Sequence, residues 1–181
     1  MSRQWMLVGA IIGGLAVGAT ALAKYGPERE GATVGARAPN FRVIDLATGD
    51  SVSLRERYRG SVTLVNIWAT WCVPCKVEMP SMQRLYDQLG PRGLKIAAVS
   101  IDEGDPTDVR NFAHELGLTF DILQDRSTAI QQAYQTTGVP ESFLLDRSGT
   151  IVKRVIGAHD WNSEVNRSLV ERLLAEPAGE R

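Results

Sequence analysis

The 181-residue sequence predicts an α/β fold: one mixed central sheet flanked by helices, with an N-terminal β-hairpin. Three observations lead there. Residues 62–69 ("VTLVNIWA") and 94–101 ("LKIAAVSI") are nearly continuous apolar, β-branched runs, the mark of strands buried on both faces. Each is followed by a segment whose apolar residues recur at i, i+3, i+4, the period of a helix with one buried face. Near the C-terminus the turn Arg147-Ser148-Gly149 separates two strand-like runs, which predicts an antiparallel hairpin.

Taken in order, residues 25–35 hold Gly, Pro and charge without periodicity and read as a linker into a domain over 36–176. "FRVIDLATGDSVSL" gives two short β-prone runs around Thr48-Gly49-Asp50, the N-terminal hairpin. After the first buried strand, residues 72–89 are helical, with Met79, Met82, Leu85, Tyr86 and Leu89 on one face. Pro80 within that pattern predicts a kink. After the second buried strand, residues 106–116 form a helix with Val109, Phe112, Ala113 and Leu116 facing the core. "FDIL" is a short strand and 127–134 another helix. "SFLLD" and "TIVKRVIG" make the late hairpin, and 163–175 an amphipathic helix with Val165, Leu169, Leu173 and Leu174. Residues 177–181 read as a tail.

Composition narrows function. A net charge of −1 gives no basic footprint for nucleic acid. Two cysteines are too few for the disulfide framework of a small secreted scaffold, and a domain of this size needs none. Residues 5–23 ("WMLVGAIIGGLAVGATALA") carry no charge; as a helix they span roughly 28 Å, about the hydrocarbon thickness of a bilayer. Residues 1–24 therefore read as a membrane anchor, or as a signal peptide cleaved after the Ala-x-Ala of Ala21 and Ala23. The length of the run favours the anchor. Either reading sends the domain to the extracytoplasmic, periplasmic side, as a single-pass membrane protein or released, where disulfides persist.

Both cysteines lie in "NIWATWCVPCKVEMP". A disulfide between Cys72 and Cys75 closes a very short loop, where the entropic gain of a staple is smallest. Zinc usually takes four ligands, and His114 and His159 lie far from any H-x₃₋₅-H spacing and read as surface residues. Covalent haem needs C-x-x-C-H, and Lys76 occupies the histidine position. No metal site and no cofactor is expected. A redox couple fits the local physics. Cys72 falls where a helix begins, so backbone N–H groups and the helix dipole favour its thiolate and make it the exposed nucleophile. Cys75 lies one turn deeper on the same face, within disulfide range, and Pro74 suits the first turn. Trp71 is expected over one side of the exposed sulfur. Farther on, "TTGVPESF" sets Val139-Pro140 just before a strand, where a proline is awkward unless its bond is cis in a tight turn. An ordinary loop proline is the alternative.

"WCVPC" after a buried strand, Pro80 five residues past Cys75, and "GVP" before the last hairpin resemble the thioredoxin superfamily. With the N-terminal apolar run, the early hairpin and the helix-containing insertion near 104–134, the sequence most resembles its membrane-tethered TlpA/ResA/CcmG-like group. The resemblance implies a thioredoxin fold, a cis Pro140 beside the sulfurs, and thiol–disulfide exchange in which Cys72 attacks and Cys75 resolves. It also implies a substrate-facing surface around Trp71, Pro74, Val139 and Pro140, with Glu141 a further candidate. Thioredoxins of the cytoplasm carry a buried Asp six residues before the first cysteine; Asn66 stands there and cannot titrate. ResA-like members carry a glutamate three residues after the second cysteine, and Glu78 stands there. It is either a proton shuttle that raises the thiol pKa values or a solvated helix residue.

By resemblance, the clients are disulfide proteins such as apocytochrome c with its haem-binding cysteines. A membrane thiol reductant must recharge the pair, since the chain has no second one. Other readings are an assembly factor that reduces or supplies a copper site of a terminal oxidase, a disulfide-introducing oxidant, and a thiol peroxidase. The P-x-x-x-T-x-x-C motif of related peroxidases is absent.

Overall fold

The two apolar runs become adjacent parallel strands at the centre of a seven-stranded sheet. In chain order the strands are β1 (Arg42–Asp45), β2 (Ser51–Ser53), β3 (Thr63–Trp68), β4 (Lys95–Ser100), β5 (Asp121–Gln124), β6 (Glu141–Leu145) and β7 (Ile151–Ile156). Across the sheet they are ordered β2-β1-β5-β4-β3-β6-β7. β3, β4 and β5 run parallel; β1 pairs antiparallel with β2 and β5, and β6 with β3 and β7. The sheet is therefore mixed, with the expected hairpins at its two edges. Residues 104–134 add a helix, β5 and a second short helix, and β5 joins the early hairpin to the central strands.

This computed structural model describes residues 31–177 together with Ile12. The expected anchor or signal segment, 5–23, lies outside the described residues apart from Ile12, as does the end of the tail from 178 onward. Among the described residues no helix is long and apolar enough to cross a membrane.

The helices are α1 (Leu54–Arg57), α2 (Val73–Leu89), α3 (Pro106–Glu115), α4 (Ala129–Ala133) and α5 (Glu164–Ala175), with a 3₁₀ turn at Gly90–Arg92. α2 runs through Pro80 unbroken and buries Met79, Met82, Leu85 and Leu89 against the sheet, as the spacing predicts. α3 starts at Asp105, whose side chain accepts from the Thr107 N–H, an N-cap that satisfies one of the helix's orphan donors. Gly149, at φ +85°, supplies the left-handed residue of the late hairpin turn, a conformation that favours glycine.

Three expectations are corrected. α1 was not predicted, although Ser53-Leu54-Arg55-Glu56 carries the S-x-x-E signal and the Ser53 hydroxyl does accept from the Glu56 N–H. In α5 Val165 faces solvent, and Asn166, Val170 and Leu173 form the buried face. The helix is rotated because Asn166 is held inward, accepting from Lys153 Nζ and donating to the Asp160 carbonyl. The end of the predicted linker is packed: Ala32 is buried and Gly35 N–H donates to the Ile151 carbonyl.

Candidate functional site

β3 is buried along its whole length, so its direction is fixed by the parallel ladder to β4 and the antiparallel ladder to β6. It delivers the chain to the loop 69–71, which Asp102 holds at the end of β4. Asp102 Oδ1 accepts from Thr70 Oγ1 at 2.6 Å, and Oδ2 accepts from the Thr70 N–H at 2.9 Å and from Ser100 Oγ at 2.7 Å. Cys72 follows as the N-cap of α2, with Pro74 in the first turn. Its sulfur accepts from the Cys75 N–H at 3.2 Å, the place where a helix start stabilises negative charge.

Cys72 and Cys75 are joined as a disulfide, with Cα atoms 5.3 Å apart, in line with the one-turn separation expected. The exposure expected of Cys72 is not seen in this oxidised form. Cys72 is 4% and Cys75 1% accessible, because both are packed into the hydrophobic core cluster. The residues around them stand out instead. Trp71 is 66% accessible and Val73 and Val77 are also exposed, so exposed apolar side chains flank the covered cysteines along the chain.

The Val139-Pro140 bond is cis. The β3–β6 register sets Glu141 opposite Ile67, which puts Pro140 beside the end of β3 that leads into Cys72. Segments some 65 residues apart thereby meet at one end of the sheet. Val139 is half-buried there.

Glu141, expected as a groove candidate, is turned away. It is fully buried, its Oε1 accepts from Arg154 Nε, and its Oε2 accepts from the Thr137 N–H. It anchors the loop ahead of Pro140.

Glu78 lies one turn beyond Cys75 on α2, and only 2% of it is accessible. It is not a solvated helix residue. Its Oε1 accepts from Trp161 Nε1 at 2.6 Å and from Ser142 Oγ at 3.2 Å. Ser142 Oγ in turn accepts from Asn66 Nδ2 at 2.8 Å, so the position that carries Asp in thioredoxins feeds the same network. Burial pushes the Glu78 carboxyl up to about 7, against the downward pull of the hydrogen bonds from Trp161 and Ser142. A buried carboxyl balanced near neutrality can take and return a proton.

Trp161 and Ser142 were not legible as site residues. The β3–β6 register, which sets Asn66 against Ser142, is what brings Ser142 in. Trp161 comes from the loop before α5; its N–H donates to Ser81 Oγ, and His159, read as a surface residue, is half-buried and stacks edge-on against its ring. Among the described residues no group of three or more His, Cys, Asp or Glu could hold a metal ion.

Comparison with known proteins agrees with this geometry. The AhpC/TSA family description matches residues 34–154. A thiol-disulfide oxidoreductase ResA of Bacillus thuringiensis (strain Al Hakam) is 37% identical over 142 residues, 78% of this chain and 80% of that protein. ResA of Geobacillus kaustophilus is 37% identical over 155 residues, 85% and 86% of the two chains. Among solved structures, a protein assigned as thiol:disulfide interchange protein DsbE of Chlorobium tepidum superposes with a TM-score of 0.70 at 26% identity, covering 78% of this chain and 98% of that one. With its thioredoxin-like fold, its single cysteine couple at a helix start and these relatives, the chain belongs to the AhpC/TSA family, among its ResA-like thiol–disulfide oxidoreductases.

Proposed function

We propose that this oxidoreductase works as an extracytoplasmic reductant in cytochrome c maturation, reducing disulfides formed between the haem-binding cysteines of apocytochrome c. The observation that carries the chemistry is the Cys72–Cys75 couple at the start of α2, with Pro140 at the neighbouring strand end and Glu78 buried one turn below. The thiol–disulfide chemistry is supported by the likeness to proteins named ResA and DsbE, and the direction and client follow the sequence's resemblance to the TlpA/ResA/CcmG-like group. The compartment is supported by the uncharged run at 5–23, which would tether the domain to the membrane.

In the reduced protein the Cys72 thiolate attacks a client disulfide; one client sulfur leaves as thiolate and a mixed disulfide forms. Cys75 then gives its proton to Glu78, and its thiolate attacks Cys72 Sγ. That step expels the second client thiolate and forms the Cys72–Cys75 disulfide, so two electrons pass to the client. Trp71, Pro74, Val139 and Pro140 form the surface on which the client lies. A membrane thiol reductant returns two electrons, since the chain has no second cysteine pair.

The test is reduction of a disulfide peptide bearing Cys-x-x-Cys-His, compared with a peptide of the same composition and scrambled order. Faster reduction of the haem-motif peptide is expected, and equal rates would remove the client assignment. Replacing Glu78 with Gln should slow reduction with the fold intact; an unchanged rate and pH profile would remove the proton-transfer role. The tether predicts that the mature protein stays with membranes through a carbonate wash, whereas a soluble form beginning near Lys24 would show cleavage.

A further inference from the structure

We propose that Trp161 and Ser142 are positioning residues that confine the working proton of Glu78 to a single atom, Oε2. The inference rests on the proton-transfer role of Glu78 given above and adds which atom performs it and what selects that atom.

An indole N–H can only donate, so the oxygen that receives Trp161 Nε1 at 2.6 Å must act as an acceptor whether or not the carboxyl is protonated. Ser142 Oγ donates to that same oxygen at 3.2 Å. Ser142 Oγ also accepts from Asn66 Nδ2, and its single O–H is the one donated to Oε1. Oε1 therefore has two donors and no room for a proton. Oε2 is equally buried and has no hydrogen-bond partner among the described residues. The proton sits there by exclusion.

The indole is held so that this selection is stable. Its backbone N–H donates to Ser81 Oγ, and the Ser81 hydroxyl lies against the carbonyls of Glu78 and His159. Lys153 Nζ lies 5.6 Å from the ring centroid and is itself fixed on Asn166 Oδ1. Trp161 in the loop before α5 and Ser142 on β6 contact the carboxyl, Asn66 on β3 reaches it through Ser142, and Cys75 lies three residues before it on α2. Lys153 on β7 and His159 reach it through the indole. Cys75, Lys153 and His159 are the ionisable ones.

Helical spacing sets Cys75 and Glu78 on one face three residues apart. With Oε1 saturated, the transfer is defined: the Cys75 S–H bond breaks, an Oε2–H bond forms, and the thiolate keeps its electron pair for attack on the mixed disulfide. The two donors to Oε1 also stabilise the ionised carboxylate, which keeps Glu78 able to accept a proton at neutral pH.

The test follows the Glu78 carboxyl by its infrared band, assigned with Glu78→Gln, in the disulfide form where the cysteines do not titrate. Trp161→Phe removes a hydrogen bond to the charged state and should raise the Glu78 midpoint by about one to two pH units. Ser142→Ala should move it the same way by less. In the reduced protein the pH profile of client reduction should shift upward with the midpoint and regain its plateau at alkaline pH, which a merely structural tryptophan would not produce. If Glu78→Gln changes the profile while Trp161→Phe and Ser142→Ala both leave the midpoint in place, the positioning role is overturned and the role of Glu78 stands. If Glu78→Gln changes nothing, both fall. Should Trp161→Phe melt below the assay temperature, Ser142→Ala decides: a raised midpoint supports the inference and an unmoved one overturns it.

Discussion

Arg154 reaches from β7 to the buried Glu141 at the start of β6, and the same guanidinium donates to the carbonyls of Ala32 and Gln135. One side chain thus ties the N-terminal segment, the loop ahead of Pro140 and the sheet together. Replacing Arg154 with Leu would leave Glu141 buried and unpaired, which costs about 3 to 5 kcal/mol when a buried pair loses one partner. The urea midpoint should fall accordingly, and client reduction should weaken because the Pro140 loop loses its anchor. A variant with parental stability would show that Glu141 finds other compensation.

Asp102 is the counterpart on the other side of the cysteines. It takes three hydrogen bonds from Thr70 and Ser100 and so fixes the chain just before Trp71 and Cys72. Asp102→Ala should cost about 1 to 3 kcal/mol, the range for buried donors left without their acceptor. It should also slow exchange by loosening the helix start. Asp102→Asn keeps one acceptor oxygen and should recover part of both. Equal loss in Ala and Asn variants would mean that the charge, not the clasp, matters.

The buried Glu78 carboxyl makes stability depend on pH. Its value is raised from 4.5 to about 7, so between those values the folded protein holds a proton that the unfolded chain has released. The contribution of Glu78 to stability is then fully present below about pH 4.5 and declines as pH rises toward 7, by up to about 3 kcal/mol, then levels. Glu78→Gln, which stays neutral, should flatten that decline. Urea unfolding of the disulfide form at about pH 5 and about pH 8 measures it. An identical slope in the Gln variant would show that Glu78 is not the group responsible.

How much of this was legible follows from the range of each interaction. The strands and α2 were readable because their signals are local: continuous apolar runs, helical spacing, a turn with Gly149. The cysteine couple was readable for the same reason, since Cys72 and Cys75 are three residues apart and the strand that aims them precedes them directly. Glu78 was readable as a candidate, but its burial depends on partners 64 and 83 residues away, at Ser142 and Trp161. Glu141 was misplaced for a like reason. Standing next to Pro140 suggests the groove, whereas β6 is buried along its whole length and the arginine on β7 holds the carboxylate there. Val165 fits a helical spacing, yet Asn166, polar by composition, takes the buried side because Lys153 and the Asp160 carbonyl meet it there.

The division of labour between the two sulfurs is the centre of the account, and trapping of mixed disulfides tests it most directly. Cys72 caps α2, where N–H groups and the helix dipole favour its thiolate, while Cys75 lies one turn deeper and is proposed to release the client. Cys75→Ser and Cys72→Ser, each reduced and mixed with client, are compared by non-reducing electrophoresis, with a thermal melt of each beside the reduced parent. Covalent complexes are expected with Cys75→Ser, almost none with Cys72→Ser, and melts close to that of the reduced parent for both. Equal trapping by the two variants would contradict the assigned roles, and a marked fall in both melts would make the pair a structural element.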